Sequence, residues 1–279
     1  MKKFLFALLL FLATIPSLVR AADNETAFDR ILRTGTLRCG YTSSPPYLII
    51  DPNTRALSGI QYDIVNEMGR RMDVRVEWAV EAAFGTAVAD LQAGKYDMFC
   101  NALAPTGVSS KFVDFTDFPF VMPFEIWVRA DDHRFDAGPT TLNATGVKMA
   151  LVEGTVIDTI HQQSFPNSTI VGVVSMGNEN VDMLLTVASG KADFTITNRT
   201  AGDDFIAKNP GTLRRLLNKP FRLVPYTYPI PKGDNKLRQT INTTLLEMQA
   251  TGALDAILDA HKAEAPHLLR LPPLYAVPQ

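Results

Sequence analysis

The chain has 279 residues, of which 27 are Lys or Arg and 29 are Asp or Glu, so its net charge at pH 7 is −2. A mildly acidic surface without basic clusters argues against nucleic acid and anionic membranes as partners. The length exceeds that of a typical single domain and predicts two lobes of ordinary globular composition.

Residues 1–21 have the pattern of a cleaved secretory signal. Lys2 and Lys3 precede an apolar segment, Phe4–Ile15, and a small-residue cleavage site ends at Ala21. The apolar segment is shorter than the roughly 20 residues that span a bilayer, so a membrane anchor is the weaker interpretation. Cleavage removes three basic and no acidic residues and leaves a net charge of −5. We expect an exported, soluble protein.

From Thr36 onward, strand and helix patterns alternate, as they do in an α/β sheet. Strands are predicted over 36–40, 74–78, 96–100, 125–129, 148–152, 169–174 and 192–197, with a hairpin in 48–57. Helices are predicted to begin near 59, 84, 109 and 154, and to cover 180–189, 235–251 and 254–262. The order predicts one lobe from 22–127 with 225–279, a second lobe from 128–224, and a hinge of two crossings.

The stretch Leu91–Phe120 carries the clearest sign of a binding site. A short apolar strand, Tyr96–Cys100, opens into a polar loop, Asn101–Ser110. Open α/β sheets bind ligands at the carboxyl ends of their strands. A helix beginning near Ser109 would add unpaired N–H groups.

Several motifs occur in a specific order along the chain: SPPYLI, LSGIQYDIVNEM, LQAGKYD, KFVDFTDFPF, LVEGT, SGKADF and PKGDNKLRQT. In this order the chain resembles the periplasmic solute-binding proteins of family 3, which feed amino-acid ABC importers. The resemblance implies the type II periplasmic-binding fold, in which two α/β lobes, each a mainly parallel sheet flanked by helices, close around a small solute. It also implies an ABC permease in the inner membrane as partner, a monomer, and no cofactor.

Two positions depart from the pattern of that family. Ser109 stands where the family has the arginine that binds an α-carboxylate, and Asn198 stands where it has the aspartate that binds an α-ammonium. Burying a charge without a partner costs several kcal/mol. A zwitterionic amino acid in the usual pose is therefore not expected. The alternative is that Ser109 is simply a helix N-cap and Asn198 caps a strand-to-helix turn.

The resemblance assigns further positions to the ligand. They are Tyr41, Tyr47, Phe84, Asn101, Ala102, Ala104, Thr106, Gly154, Thr155 and Val156. An equal alternative for Phe84 is that it is a core residue of its own helix and does not contact the ligand. Arg129 and Arg199 are candidate substitute anchors for an anion, although solvent-facing arginines are more common.

Cys39 and Cys100 are the two cysteines. The fold that the resemblance implies places their strands side by side, and export permits a disulfide. Directly paired neighbours suit disulfide geometry poorly, so free thiols are the equal alternative. No metal site is expected, because the four histidines share no ligand spacing with each other or with the cysteines.

Three functions remain open. The first is a receptor that presents a small polar solute to an ABC permease, without catalytic residues. The second is a lyase of the cyclohexadienyl dehydratase type, for which Glu125 or Glu153 would be the general acid. The third is a sensory or accessory binding module.

Overall fold

The computed structural model describes residues 25–174 and 178–270. The predicted signal peptide lies outside this range. In the described part of the chain, no helix combines the length and the apolar composition that crossing a membrane requires.

The described residues form thirteen strands and eight α-helices. The strands are β1 Thr36–Tyr41, β2 Ile49–Ile50, β3 Leu57–Ser58, β4 Arg75–Glu81, β5 Met98–Phe99, β6 Val113–Phe115, β7 Phe120–Arg129, β8 Lys148–Leu151, β9 Thr169–Gly172, β10 Phe194–Asn198, β11 Leu213–Arg215, β12 Arg222–Tyr226 and β13 Pro229–Pro231. The helices are α1 Ala27–Thr34, α2 Ile60–Arg71, α3 Ala87–Gln92, α4 Val156–Ser164, α5 Glu179–Ala188, α6 Arg199–Lys208, α7 Asn235–Ala250 and α8 Ala253–Ala260. Short 3₁₀ helices cover Phe84–Thr86, Ser109–Lys111 and Pro139–Leu142.

The first sheet is parallel and has the order β4-β1-β5. The central strand, β1, is largely buried, whereas β4 at the edge alternates between exposed and half-buried residues. This alternation is the pattern of a strand with one solvated face. α1 packs against β1, α2 against β4 and α3 against β5.

The second sheet is mixed and has the order β11-β7-β10-β8-β9, with β12 also paired to β7. β8, β9 and β10 are parallel, while β7 runs antiparallel to β10, β11 and β12. All five residues of β10 are buried, because β10 lies between two strands and against α5 and α6.

Two adjacent strands carry the chain into and out of the second sheet. β7 enters it, and β12 leaves it paired with the first half of β7, Phe120–Phe124. The chain then returns to the first sheet, where α7 and α8 pack against α2. Arg71 of α2 pairs with Glu247 of α7 at 2.6 Å, and His261 Nε2 lies 2.6 Å from Asp63.

A third segment also joins the two parts. Val121 of β7 and Leu269 exchange two backbone hydrogen bonds of 3.0 and 2.9 Å. Two residues earlier, His267 Nε2 lies 2.9 Å from Asp203 on α6. The segment after α8 therefore connects the first-sheet helices to the entrance of the second sheet.

The two sheets share one arrangement, an aspartate just before a parallel strand, which is buried in the case of Asp97 and half-buried in the case of Asp193. Asp97, 1 % exposed, accepts the backbone N–H of Arg38 at 2.7 Å and is paired with the Arg30 and Arg38 guanidiniums. Asp193 accepts the backbone N–H of Lys148 at 2.8 Å and the Arg134 guanidinium at 2.6 Å. The motifs GKYD and GKAD thus fix where β5 begins beside β1 and where β10 begins beside β8.

Several details differ from the sequence predictions. The helix predicted at Ser109 is only a three-residue 3₁₀ turn, so an α-helical N-terminus does not form there. β7 begins at Phe120 rather than at 125, because the aromatic run pairs with β12. α1 was not predicted, although Thr26 and Gly35 cap it at its two ends.

Cys39 and Cys100, both fully buried, form a disulfide, which the sequence left open. The residue opposite Cys39 is Met98, so Cys100 lies diagonally, two residues further on and past the end of β5. The objection to directly paired neighbours therefore does not apply. The Cα atoms are 5.4 Å apart, within the normal range for a disulfide.

The Asp97→Asn substitution should lower the free energy of unfolding by about 3 kcal/mol, because it leaves Arg30 and Arg38 without their counter-charge at a buried position. Urea denaturation measures this change. Glu77→Gln is the control, since Glu77 pairs with Arg75 at 3.6 Å in an exposed pair. Equal losses in the two variants would show that Asp97 is not the anchor described above.

Replacing both cysteines by alanine should lower the free energy of unfolding by about 4 kcal/mol, because the bridge closes a loop with a sequence separation of 61. Urea denaturation with and without a reductant measures the effect. A reductant should destabilise the wild type and leave the double variant unchanged. A wild type that does not respond to the reductant at unfolding equilibrium would contradict the expectation.

Candidate ligand-binding cleft

The carboxyl edges of the two sheets face each other and touch. Tyr47, in the loop after β1, donates its hydroxyl to Asn198 Oδ1, at the end of β10, over 3.4 Å. Tyr47 is 8 % exposed and Asn198 is 4 % exposed. We call the region between the loops after β1 and β5 and the ends of β8 and β10 the cleft.

The phenol of Tyr47 is buried against the second sheet. Burial raises the pKa of its phenol to about 12, while a hydrogen bond with Thr200 opposes the rise and the negative charge of Asp204 adds to it. Thr200 and Asp204 both belong to α6, on the second sheet. The neutral phenol is therefore held against the opposite side of the cleft.

Asn198 is the N-cap of α6, as its alternative interpretation proposed. Its Oδ1 accepts the Ala201 N–H at 2.9 Å in addition to the Tyr47 hydroxyl. Its Nδ2 makes no hydrogen bond to the described residues. The side chain consequently offers a donor, whereas an ammonium group requires an acceptor.

Asn101 and Ala102 are bonded within the protein. The Asn101 amide accepts the Thr42 N–H at 2.8 Å and donates to Thr42 O and Ser44 Oγ at 2.9 and 2.8 Å. The Ala102 N–H donates to Gln61 Oε1. Both residues are buried, and the Asn101 amide holds the loop after β1 in place.

Thr106 and Ser109 form a reciprocal pair. The Ser109 N–H donates to Thr106 Oγ1 at 3.1 Å, the Thr106 N–H donates to Ser109 Oγ at 3.3 Å, and the two hydroxyls lie 2.7 Å apart. This is the reciprocal logic of a capping box. The hydroxyl that stands at the arginine position of the family therefore closes a local turn.

Three apolar or aromatic candidates lie in different surroundings. Phe84 is half-buried and packs edge-on against Phe99, with the ring centroids 5.7 Å apart. Ala104 is half-buried and packs against the largest hydrophobic cluster. Tyr41 packs edge-on against Trp78 of β4, with the ring centroids 5.6 Å apart, so its ring lies beside β4 in the first sheet.

The turn after β8 supplies the remaining candidates, Gly154, Thr155 and Val156. The Gly154 N–H donates to Asp158 at 3.1 Å, and the Thr155 hydroxyl donates to Val152 O at 2.7 Å. Gly154 has a φ of +77°, which favours glycine. Val156 is half-buried and is the first residue of α4.

The charged candidates are largely paired elsewhere. Arg129 donates to Ala192 O and Asp132 at 2.9 Å each, and Arg199 pairs with Asp203 at 3.2 Å. Glu153 is exposed. Glu125 is fully buried, its oxygens make no hydrogen bond within the described chain, and burial raises its pKa.

The structure adds two residues that the sequence did not indicate, Tyr226 and Glu179. Tyr226 ends β12, and its ring packs on Phe120 and Phe124 with centroids 6.1 and 6.3 Å apart. Burial raises the pKa of Tyr226, and the charges of Glu179 and Tyr47 add to this rise. No local sequence pattern places Tyr226, Glu179 and Tyr47 together, because they come from three distant segments of the chain.

The residues 37–263 match the family model of bacterial extracellular solute-binding proteins, family 3. This range covers most of the chain, so the protein belongs to that family. Its fold is the type II periplasmic-binding fold, which is α/β.

Individual relatives agree with this assignment. The chain is 23 % identical over 213 residues to the histidine-binding periplasmic protein of Salmonella typhimurium, covering 72 % of this chain and 77 % of the relative. It is 26 % identical over 212 residues to the lysine/arginine/ornithine-binding periplasmic protein of Escherichia coli, covering 72 % and 74 %. Among solved structures it resembles the ancestral amino-acid-binding protein AncCDT-1, a precursor of cyclohexadienyl dehydratase, with a TM-score of 0.68 and 25 % identity over 84 % of this chain and 98 % of that one.

An ultraviolet titration should show the Tyr47 phenol ionising at a pH of about 12 instead of about 10. Because the folded pKa is above the unfolded one, the contribution of Tyr47 to stability is complete below pH 10 and is lost as the pH rises to about 12. The difference between the titration curves of the wild type and Tyr47→Phe isolates this phenol. Ionisation at the ordinary value would mean that the cleft is open at Tyr47 in solution.

Proposed function

We propose that the protein is a periplasmic receptor that captures a small polar solute by hinge closure and delivers it to an ABC-type importer in the inner membrane. The moving parts are residues 22–127 with 225–279 and residues 128–224, after cleavage of the signal peptide near Ala21. The observation that carries the proposal is the contact between Tyr47 and Asn198, which joins the carboxyl edges of two separate sheets.

The connections between the sheets suit a hinge. β7 and β12 cross side by side, so a small change of backbone angles at their ends would rotate one sheet against the other. The few polar contacts across the cleft include a hydrogen bond as long as 3.4 Å. A solute that binds the closed form better than the open one would shift this equilibrium.

The solute is not a standard amino acid in the usual pose. The Ser109 hydroxyl is bonded to Thr106, and the Asn198 carbonyl oxygen is bonded to Ala201 and Tyr47. Neither side chain carries the charge that would offset the desolvation of a carboxylate or an ammonium. The relatives that bind histidine or lysine, arginine and ornithine are therefore guides to the mode of closure and not to the ligand.

Binding is a better account than catalysis. The general acid of a lyase must be able to contact the substrate. Glu153 is exposed, and Glu125 is sealed on the face of the second sheet beside Arg215, whose guanidinium is 3.9 Å away. The curated relatives named above are binding proteins, which also supports a receptor.

A thermal-shift screen of the mature protein tests the receptor. The panel holds amino acids, organic acids, amines, quaternary ammonium compounds, small sugars and prephenate. A solute at about 100 times its dissociation constant adds roughly 2.7 kcal/mol and should raise the melting temperature by about 5 °C. A response to prephenate with turnover would favour the lyase, and silence across the whole panel would count against a receptor.

The double substitution Ser109→Arg with Asn198→Asp should create affinity for standard amino acids, because it restores both charges of the family pattern. Calorimetry measures the gain. Gln92→Arg with Asn53→Asp adds the same charges at exposed positions and should give none. Strong binding of amino acids by the wild type would contradict our interpretation of Ser109 and Asn198.

A further inference from the structure

Glu179 is a carboxylate without a counter-charge. It stands in the first turn of α5 and is half-buried, and it makes no hydrogen bond or ion pair to any described residue. Burial raises the pKa of Glu179, and no arginine, lysine or histidine lowers it. A desolvated carboxylate is costly, so its presence suggests that a ligand supplies the missing charge.

Topology places Glu179 at the cleft. The parallel strands β8, β9 and β10 end at the same edge of the second sheet, and α5 follows β9 there. The next residue, Asn180, bonds to Thr197 near the end of β10. The helix also packs against β7, the strand that enters the second sheet.

An aromatic surface lies beside this carboxylate. Phe120 and Phe124 are 0 % and 3 % exposed, whereas Tyr226, which packs on both, is half-buried and retains exposed surface. The charge of Glu179 reaches the Tyr226 phenol, and Tyr226 in turn is within electrostatic range of Tyr47. A carboxylate next to an aromatic face is the combination that receives an organic cation.

We infer that the cleft binds a monocation, an amine or quaternary ammonium compound without a carboxylate, whose positive charge lies between Glu179 and the ring of Tyr226. This inference rests on the proposed function, since it names the solute class of the same cleft. The Asn198 Nδ2 group would then donate a hydrogen bond to a hydroxyl or carbonyl oxygen of the solute. The absence of an arginine at Ser109 is consistent with this class, because such a solute has no carboxylate to bind.

The test uses calorimetry on the mature full chain with pairs of probes that differ only in charge. Choline is paired with 3,3-dimethylbutan-1-ol, and n-pentylammonium with pentan-1-ol. We expect at least one cation to bind and its neutral isostere to bind at least tenfold more weakly. Equal affinity of the members of every pair would overturn the inference.

Substitutions test whether Glu179 and Tyr226 bind the positive charge of the solute. Glu179→Gln should weaken binding of the cation by roughly 30-fold or more, as the loss of one partner of a desolvated charge pair does. Tyr226→Leu should weaken it by about fivefold, whereas Tyr226→Phe, which keeps the ring, should bind like the wild type. Glu153→Gln is the matched control, because Glu153 is an exposed carboxylate after β8. Undiminished binding by Glu179→Gln would overturn the inference.

Stability provides a second readout that does not depend on the probe. Because Glu179 has no partner in the described chain, Glu179→Gln without ligand should melt at the same temperature as the wild type or higher. A lower melting temperature would mean that the protein itself pairs the carboxylate, and would contradict a ligand role. Binding of only neutral or anionic solutes would reject the monocation and leave the receptor standing, while binding of no solute at all would reject both.

Discussion

The position of the cleft depends on one repeated interaction, an aspartate that precedes a strand and accepts a backbone N–H of the neighbouring parallel strand. Asp97 fixes the start of β5 beside β1, and Asp193 fixes the start of β10 beside β8. Because the two strands of each pair begin at a fixed offset, their carboxyl ends are also aligned. The loops that follow are thereby placed at one edge of each sheet, where a solute can contact both.

In the proposed hinge closure, the difference in free energy between the open and the closed form is small. The sheets are joined by β7, β12 and the segment that pairs Leu269 with Val121, and we propose that these connections form the hinge. Across the opening, Tyr47 bonds to Asn198 through a single long hydrogen bond. A ligand need therefore supply only a modest difference in affinity between the open and closed forms to govern the population of each.

The proposal that the solute is not an amino acid in the usual pose rests on hydrogen bonds that are already satisfied within the protein. At both altered anchors, side-chain oxygens are bonded within the protein: Ser109 with Thr106, and Asn198 with Ala201 and Tyr47. Asn101 likewise holds the loop after β1. Two carboxylates without an ion-pair partner among the described residues act on the cleft tyrosines, Glu179 on Tyr226 and Asp204 on Tyr47, so the charge beside these tyrosines is negative.

The sequence by itself determined the α/β class, the order of the strands and the loop after Cys100, because apolar alternation, glycine stops and the aspartate motifs act locally. It also identified Ser109 and Asn198 as departures from the family, since each residue type is read directly. Local signals could not decide whether Ser109 starts a helix, whether Cys39 and Cys100 lie diagonally, or that Tyr47 reaches Asn198. The last two outcomes depend on register and on contacts between segments more than 50 residues apart. The proximity of Glu179, Tyr226 and Tyr47 was decided only by the tertiary structure. These residues belong to a helix, a strand and a loop from three separate parts of the chain, and the three segments must come together before their charges and rings can interact.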